Sequence, residues 1–585
     1  MDLILLVVMG VVAIALVTAL APRVGVAGPL ALVALGVAVS FLPFVPAVEV
    51  NPEWILAGIL PPLLYSAAVS LPAVEFRRDF GLIGALSVGL VLISSLVLGG
   101  VFAVLVPGLG IALAIGLGAI LSPTDAVATS IVRKLGISPR IVTVLEGESL
   151  LNDATALVLL SSALAAVTGS FSVLDSVWDF GWAVLLAVVV GAVIGFVNLR
   201  VRAWVASPTA NTALSFTIPF IAYVPTEYFG GSGLVAAVVA GIVTGQGSAR
   251  WFTAEQRMSD TLNWRTIELV LEGGVFLIMG LELYGLIVES EEKHEGVWHA
   301  ATLAAVAILI VLAVRILYVA PLVWAQSRRA RRITSLRDRF DDWDKRITDA
   351  SGSETMASRP RRGPVRAPEK GPENPRRLFN FRLRMTRARA DLDYYEASPL
   401  GWRHGSLIVW AGMRGAVTVA AAQTLPRDTD SRATLLLVAF FVAAGTLLIQ
   451  GGTLGWVARR LGLAGSGGGA SPEERDTLRD ELQTAAATAL ASPDLRRSDG
   501  TSFDTNTVAR VRARVLQPPE DDSNARALEM SELRLAMIHA MRDRLLELRR
   551  DGTYSTAALR RSLDELDADE LSIQMRLSGS DDEGE

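Results

Sequence analysis

The sequence predicts an all-α polytopic membrane protein: about thirteen transmembrane helices, followed by a cytosolic helical tail. Three observations carry this reading. Of 585 residues, 51% are hydrophobic, and mean hydropathy is +0.43 despite a long charged C-terminal region. Apolar runs of about 20 residues, the length that crosses a bilayer, follow one another along the first four-fifths of the chain. The charges are sharply segregated, so the net charge of −5 describes no single region.

The runs lie near 3–21, 27–45, 54–70, 82–107, 110–132, 143–168, 179–199, 209–225, 230–247, 265–288, 299–325, 402–424 and 433–459. Met1–Leu20 lacks a basic leader and a small-residue cleavage site, so it is expected as a retained first span and not a signal peptide. The third run is short and interrupted by Pro61-Pro62; the eighth is short and holds Pro219. Alternate loops carry Arg23; Arg77 and Arg78; Arg133, Lys134 and Arg140; Arg200 and Arg202; Arg250, Arg257 and Arg265. The opposite loops carry only Lys293, Arg427 and Arg432. The positive-inside rule then puts the basic set in the cytoplasm, the N-terminus outside and the C-terminus inside.

Beyond the spans, three further regions separate by composition. Residues 327–400 form a basic insert between spans eleven and twelve, within which 351–377 reads as disordered. Residues 461–470 end in a Gly/Ser hinge, and 471–585 is a soluble tail with helical periodicity near 472–491 and 526–550. Ser471-Pro472-Glu473-Glu474 has the pattern of a helix start. The tail is expected as a small helical domain, open to a regulatory partner or ligand.

Composition removes several chemistries. There are no cysteines, so disulfides, thiolate catalysis and Cys-type metal sites are excluded. The four histidines, His294, His299, His404 and His539, form no H-x-x-H or H-E-x-x-H pattern, which argues against a catalytic zinc site.

What remains is charge inside apolar spans. Placing a charge there costs about 2.5–3.5 kcal/mol on insertion scales, so its default reading is functional. In the sixth span, Ser149 and Asp153 share one helix face, and Glu148 and Asn152 share the adjacent one, by i,i+4 spacing. Glu146 sits a turn before Ser149. A carboxylate on such a face lines a cavity or pairs with a cation. A capping role for Asn152 and Asp153 fits less well, because Ala154–Ala166 continues as apolar helix. In the fifth span, Pro123 removes a backbone donor and frees upstream carbonyls just before Thr124 and Asp125. Such oxygens suit Na+ or Li+, and K+ as well. A proline kink with Asp125 capping the second half-helix is the alternative, and the two readings are compatible.

In the twelfth span, Gly412-Met413-Arg414-Gly415 buries a cation among small residues, with Glu148 as the expected partner. Arg315 in the eleventh span also needs a partner, for which Glu268, Glu272 and Glu282 are the candidates. Asp125-Ala126-Val127-Ala128 and Gly415-Ala416-Val417-Thr418 resemble each other, as inverted repeats around a midplane site do.

On Leu60-Pro61-Pro62-Leu63-Leu64-Tyr65, Ser122-Pro123-Thr124-Asp125, Glu146–Asp153 and Gly412-Met413-Arg414-Gly415, the chain resembles a bacterial sodium/proton antiporter of the first monovalent cation:proton antiporter family, the NhaP-like and sodium–hydrogen exchanger group. The resemblance covers about residues 1–460 except the basic insert. It implies thirteen spans, a homodimer, and a six-helix core moving against a dimerisation domain. It also implies that spans five and twelve are broken and cross near the midplane. By the same resemblance Asp153 carries the ion and the proton, with Asn152 beside it. Thr124, Asp125 and Ser149 help coordinate Na+, and Glu148–Arg414 is a structural ion pair. An Asn-Asp pair marks the electroneutral branch. One position departs from the pattern: many members carry an acid shortly after the Pro-Pro, where this chain has Ser66. Ser66 stays a cation-binding candidate, and ion selectivity is where the departure bears.

The expected function is exchange of Na+ or Li+ for H+ at the plasma membrane by competition at buried Asp153. Burial disfavours its charge and a bound cation favours it, so proton and cation exclude each other. No cofactor and no nucleic-acid partner are expected; the ligands are a monovalent cation and a proton, with membrane lipid around the spans. The same machine moving K+ is the runner-up. An intramembrane aspartic protease built on Asp125 and Asp153 lacks the Gly-x-Gly-Asp and Tyr-Asp contexts of that class. A non-transporting sensor is the remote alternative.

Overall fold

The computed structural model describes residues 2–24, 27–43, 51–168, 173–292, 296–352, 391, 394–395, 398–426, 429, 431–465, 472–492, 495–497, 500–513 and 524–581. Ser471, most of the 351–377 stretch, residues 466–470 of the hinge, and the loop residues Lys293, His294 and Arg427 lie outside them. The chain divides into two compact units: Met1–Ala320 with Arg403–Gly469 and Glu570–Ser572, and Pro321–Trp402 with Ala470–Asp569 and Ile573–Glu585.

The first unit is helical throughout, in the order α1 (Asp2–Val24), α2 (Gly28–Ser40), α3 (Leu60–Ser70), α4 (Ala73–Gly84), α5 (Val91–Leu105), α6 (Ile111–Leu121), α7 (Val127–Lys134), α8 (Pro139–Thr168), α9 (Val173–Trp204), α10 (Pro208–Tyr228), α11 (Gly233–Trp251) and α12 (Ala254–Glu292). Helix α13 (Val297–Gly352) leaves this unit, and α14 (Trp402–Trp410), α15 (Ala416–Gln423), α16 (Arg432–Thr446) and α17 (Gly452–Arg460) follow. Single π-helical stretches, Trp54–Ile59, Ala85–Leu90 and Leu447–Gly451, lead into α3 and join α4 to α5 and α16 to α17.

Six helical stretches among the described residues are long and apolar enough to cross a membrane: 73–105, 139–167, 181–204, 254–291, 297–328 and 432–460. Shorter apolar helices occupy 7–21, 28–40, 54–70 and 111–121. Outward faces carry Leu16, Leu96, Val193, Leu309 and Ile449, as lipid-facing helices do.

Helix ends follow local chemistry. At α10, Ser207 accepts from the Ala210 amide (3.4 Å) with Pro208 in the first turn. At α12, Thr253 and Gln256 make a reciprocal box, Gln256 N to Thr253 Oγ1 at 3.2 Å and Thr253 N to Gln256 Oε1 at 3.1 Å. Gly136, at φ +61°, makes the left-handed turn between α7 and α8.

Small residues bring helices to backbone contact. A side chain at Gly36 would strike Leu277 O and Gly280 Cα, and one at Gly280 would strike Val33 O, so α2 and α12 pack glycine on glycine. Gly241 and Gly245 of α11 sit against Tyr65 O and Val69 O of α3, and Gly191 of α9 against Ala236 O of α11.

Two cations counted as loop charges are internal. Arg140 forms a bidentate pair with Asp79, Nε–Oδ2 2.9 Å and Nη2–Oδ1 2.7 Å, both side chains being buried. Arg202, 1% exposed, pairs with Asp260 and donates to Asn211 Oδ1 at 2.7 Å through Nε.

In the second unit, α18 (Pro472–Leu490), α19 (Thr505–Ala513), α20 (Asn524–Asp551) and α21 (Thr556–Asp581) bury Leu478, Leu482, Ile538, Leu545 and Leu559. Glu481 accepts from Tyr554 Oη at 2.8 Å and from Arg544 Nη2 at 3.2 Å. Helices α18 and α20 fall where periodicity places them. The short α19 and the charged α21 are additions to that expectation; in α21 Leu559, Leu563, Leu566, Ile573 and Leu577 do recur at helical spacing.

Candidate functional site

The site grows out of two interrupted helices. Helix α6 stops at Leu121, and residues 122–126 run outside helix before α7 starts. Pro123 causes the stop, since its ring clashes with the preceding turn and it has no N–H to continue the ladder. Asp125 Oδ1 then accepts from the Val127 amide (2.9 Å) at the α7 N-terminus. The second interruption, 411–415, separates α14 from α15 without a proline. The two breaks touch through their backbones: Asp125 N donates to Met413 O at 2.8 Å.

Both glycines of Gly412-Met413-Arg414-Gly415 make room. A Cβ on Gly415 would overlap the Asp125 carboxylate, and one on Gly412 would overlap the Arg315 guanidinium. Only hydrogen at these positions lets the acid and the base seat against the second break.

Helix α8 runs unbroken past both. Its face of Glu146, Ser149, Leu150 and Asp153 lines a cavity of about 280 Å³. Asp125, Thr124 and Thr129 from the first broken helix line it too, as do Gly415 to Thr418 from the second, Leu60, Leu63, Leu64, Ala67 and Ser70 of α3, and Glu268, Glu272 and Phe276 of α12. Asp153 is 8% exposed; among the described residues it accepts no hydrogen bond, and Asp125 lines the same cavity. A carboxylate so placed takes its partners from the cavity: a proton, a cation or water. At one end of the cavity Glu146 pairs with Arg133.

The other face of α8 is turned into protein. Asn152 Nδ2 donates to Thr124 Oγ1 (2.6 Å), and Thr124 Oγ1 lies 3.4 Å from Glu148 Oε1. Asn152 Oδ1 is buried without a partner among the described residues.

The expected Glu148–Arg414 pair is corrected here. Glu148 pairs with Arg315, Nη1–Oε1 2.5 Å and Nη2–Oε2 2.9 Å, both buried, and Arg315 also donates to Ile408 O at 3.0–3.1 Å. The partner expected for Arg315 on the tenth span is thereby replaced. Arg414 turns instead to backbone: Nε to Leu121 O (3.0 Å), Nη2 to Ser122 O (3.2 Å), and Nη1 to Gly412 O. It occupies carbonyls that Pro123 leaves free and that were expected to face an ion, and its charge suits the C-terminal end of α6.

Ser66 is buried on α3 behind the cavity lining, where its hydroxyl donates to Glu268 Oε1. Glu268 and Glu272 face the cavity from α12. Sequence reasoning named them only as partners for Arg315; the available signal was their i,i+4 spacing inside an apolar span, the same signal that singled out Ser149 and Asp153.

Comparison with known proteins agrees with this architecture. The model of the transmembrane sodium/hydrogen exchanger family matches residues 11–340, more than half of the chain. A Na+/H+ exchanger of Mycobacterium tuberculosis is 25% identical over 581 residues, 96% of this chain and 95% of that one. A Na+/H+ exchanger of Escherichia coli is 34% identical over 271 residues, 45% of this chain and 49% of that one. A sodium, potassium, lithium and rubidium/H+ antiporter of Bacillus subtilis is 32% identical over 268 residues, 44% of this chain and 40% of that one. The last two matches thus span half or less of those relatives' length. The solved structure of the sodium proton antiporter MjNhaP1 from Methanocaldococcus jannaschii shares the fold at TM-score 0.56, with 15% identity over 79% of this chain and 99% of that one. Broken helices, a buried acid face and a family model across the membrane region converge: the chain belongs to the sodium/hydrogen exchanger family, one of transporters and not of enzymes.

Proposed function

We propose that this protein exchanges Na+ or Li+ for H+ across the plasma membrane by competition at Asp153. The observation that carries the reading is a carboxylate 8% exposed, without a hydrogen-bond donor among the described residues, on the wall of a cavity that also holds Asp125, Thr124 and Ser149. Either ligand neutralises it, and only one fits at a time. Thr124, Asp125 and Ser149 supply further oxygens to the cation. Asn152, bonded to Thr124, ties the first break to α8.

The finer architecture is part of the same reading: thirteen spans with inverted repeats, N-terminus outside and C-terminus cytoplasmic, crossing breaks, alternating access of a core domain against a dimerisation domain, and a homodimer. Its support is the paired interruptions that meet at Asp125 and Met413 and the fold likeness to MjNhaP1. The Asn152–Asp153 pair favours one cation for one proton. The tail, 471–585, is regulatory in this reading, joined by the 461–470 hinge, with 327–400 as a cytoplasmic insert.

The test is exchange in proteoliposomes carrying an internal pH dye, for wild type and Asp153→Asn. Na+ or Li+ should dissipate an imposed pH gradient, and the variant should not, while remaining folded and dimeric. Normal exchange by the variant would sink the proposal. K+/H+ exchange is the second reading, favoured by the absence of an acid at Ser66 and by the potassium in the name of the Bacillus subtilis relative; a response to K+ would select it.

A further inference from the structure

We propose that Glu268 and Glu272 of α12, with Glu268 held by the Ser66 hydroxyl of α3, form a second cation-coordinating group in the cavity, which receives the monovalent cation on its way to Asp153 and sets cation preference. The inference rests on the exchange reading above.

Glu268 and Glu272 are one turn apart on the same face and both line the cavity with Asp125 and Asp153. Ser66 donates to Glu268 Oε1, which fixes that carboxylate from the opposite helix and leaves its second oxygen for a ligand. Asp125 lines the same cavity as Glu268 and Glu272, so these three carboxylates share it with Asp153. Most of the rest of this wall is apolar, Leu60, Leu63, Leu64, Val275 and Phe276 among it, with Ser70 adding a hydroxyl.

Like charges lining one apolar cavity repel until a cation lies among them or one of them takes a proton. An unpartnered polar group points to that occupant independently of the glutamates: the Asp153 carboxylate, 8% exposed and accepting no hydrogen bond among the described residues, lines the same cavity. Carboxylate and hydroxyl oxygens are the ligands of a hard cation. The acid expected beside Pro61-Pro62 is therefore supplied in space by α12, held there by the serine that replaces it.

The full-length protein, reconstituted and titrated with Na+, tests this. Wild type should exchange, Asp153→Asn should not, and Glu268→Gln and Glu272→Gln should each raise half-saturating Na+ by about tenfold or more while keeping the maximal rate within about twofold. Placing the acid on α3, Ser66→Glu in the Glu268→Gln background, should restore much of the lost affinity; a packing role would give no such rescue. Half-saturation within twofold of wild type, in variants whose thermal unfolding matches wild type, would overturn the proposal. Should the glutamine variants fail to fold, Ser66→Ala removes only a hydroxyl, and an unshifted Na+ titration there would overturn it equally. If wild type exchanges no cation, the exchange reading fails on its own. Calorimetric Na+ binding then decides this site: loss in Glu268→Gln supports it, unchanged binding refutes it.

Discussion

Gly415→Ala is the smallest change that isolates the contact between the two broken helices. The added methyl occupies the volume of the Asp125 carboxylate, and Asp125 Oδ1 holds the Val127 amide at 2.9 Å. Overpacking costs about 1–3 kcal/mol, and losing the cap at α7 about 1 kcal/mol. Together these give about 2–4 kcal/mol, or roughly 30- to 700-fold if it falls wholly on the cation-bound state. The assay is Na+ titration of pH-gradient dissipation in proteoliposomes, with thermal unfolding in detergent as a check. Gly274→Ala is the control, because a Cβ there meets open space. Half-saturation raised by an order of magnitude or more in Gly415→Ala, against little change in the control, is the expected outcome. A Gly415→Ala protein that titrates like wild type would refute the argument that Asp125 must sit against the second break.

Glu148→Gln strands the Arg315 guanidinium in the interior and should cost about 3–5 kcal/mol of stability, read as a lowered unfolding temperature; an unchanged melt would remove the pair from the scaffold. Because proton and cation compete at Asp153, half-saturating Na+ should rise as pH falls while the maximal rate at saturating Na+ is kept; a half-saturation independent of pH would separate the two ligands onto different sites. Deleting residues 471–585 should leave basal exchange in place, and complete loss of exchange would transfer the leading role to the tail.

The parts of the site legible in the sequence were those set by local spacing. The two faces of α8 follow from i,i+4 arithmetic, and the first break follows from Pro123. The partners of buried charges were not legible. Glu148 and Arg315 are 167 positions apart, and nothing in either neighbourhood distinguishes Arg315 from Arg414 as the base that reaches Glu148. What distinguishes them is steric: Gly412 opens the space for Arg315, while Arg414 is spent on Leu121 and Ser122 carbonyls. The second break carries no proline, so its signal was small residues around a cation, which reads equally well as close packing. Arg140 and Arg202 read as loop charges because their acids, Asp79 and Asp260, lie on other helices.

The glycine seams have a mechanical consequence. Helices in backbone contact have little room to slide, so α2 with α12, and α11 with α3 and with α9, behave as stiff pairs. The cavity lies where such seams are missing, between α3 and α12 on one wall and α7, α8 and α15 on the other. Compliance is concentrated there, and acids stand on both banks: Glu268 and Glu272 on one, Asp125 and Asp153 on the other. A cation spanning that gap would act as a removable strut, its size setting how closely two otherwise rigid walls approach.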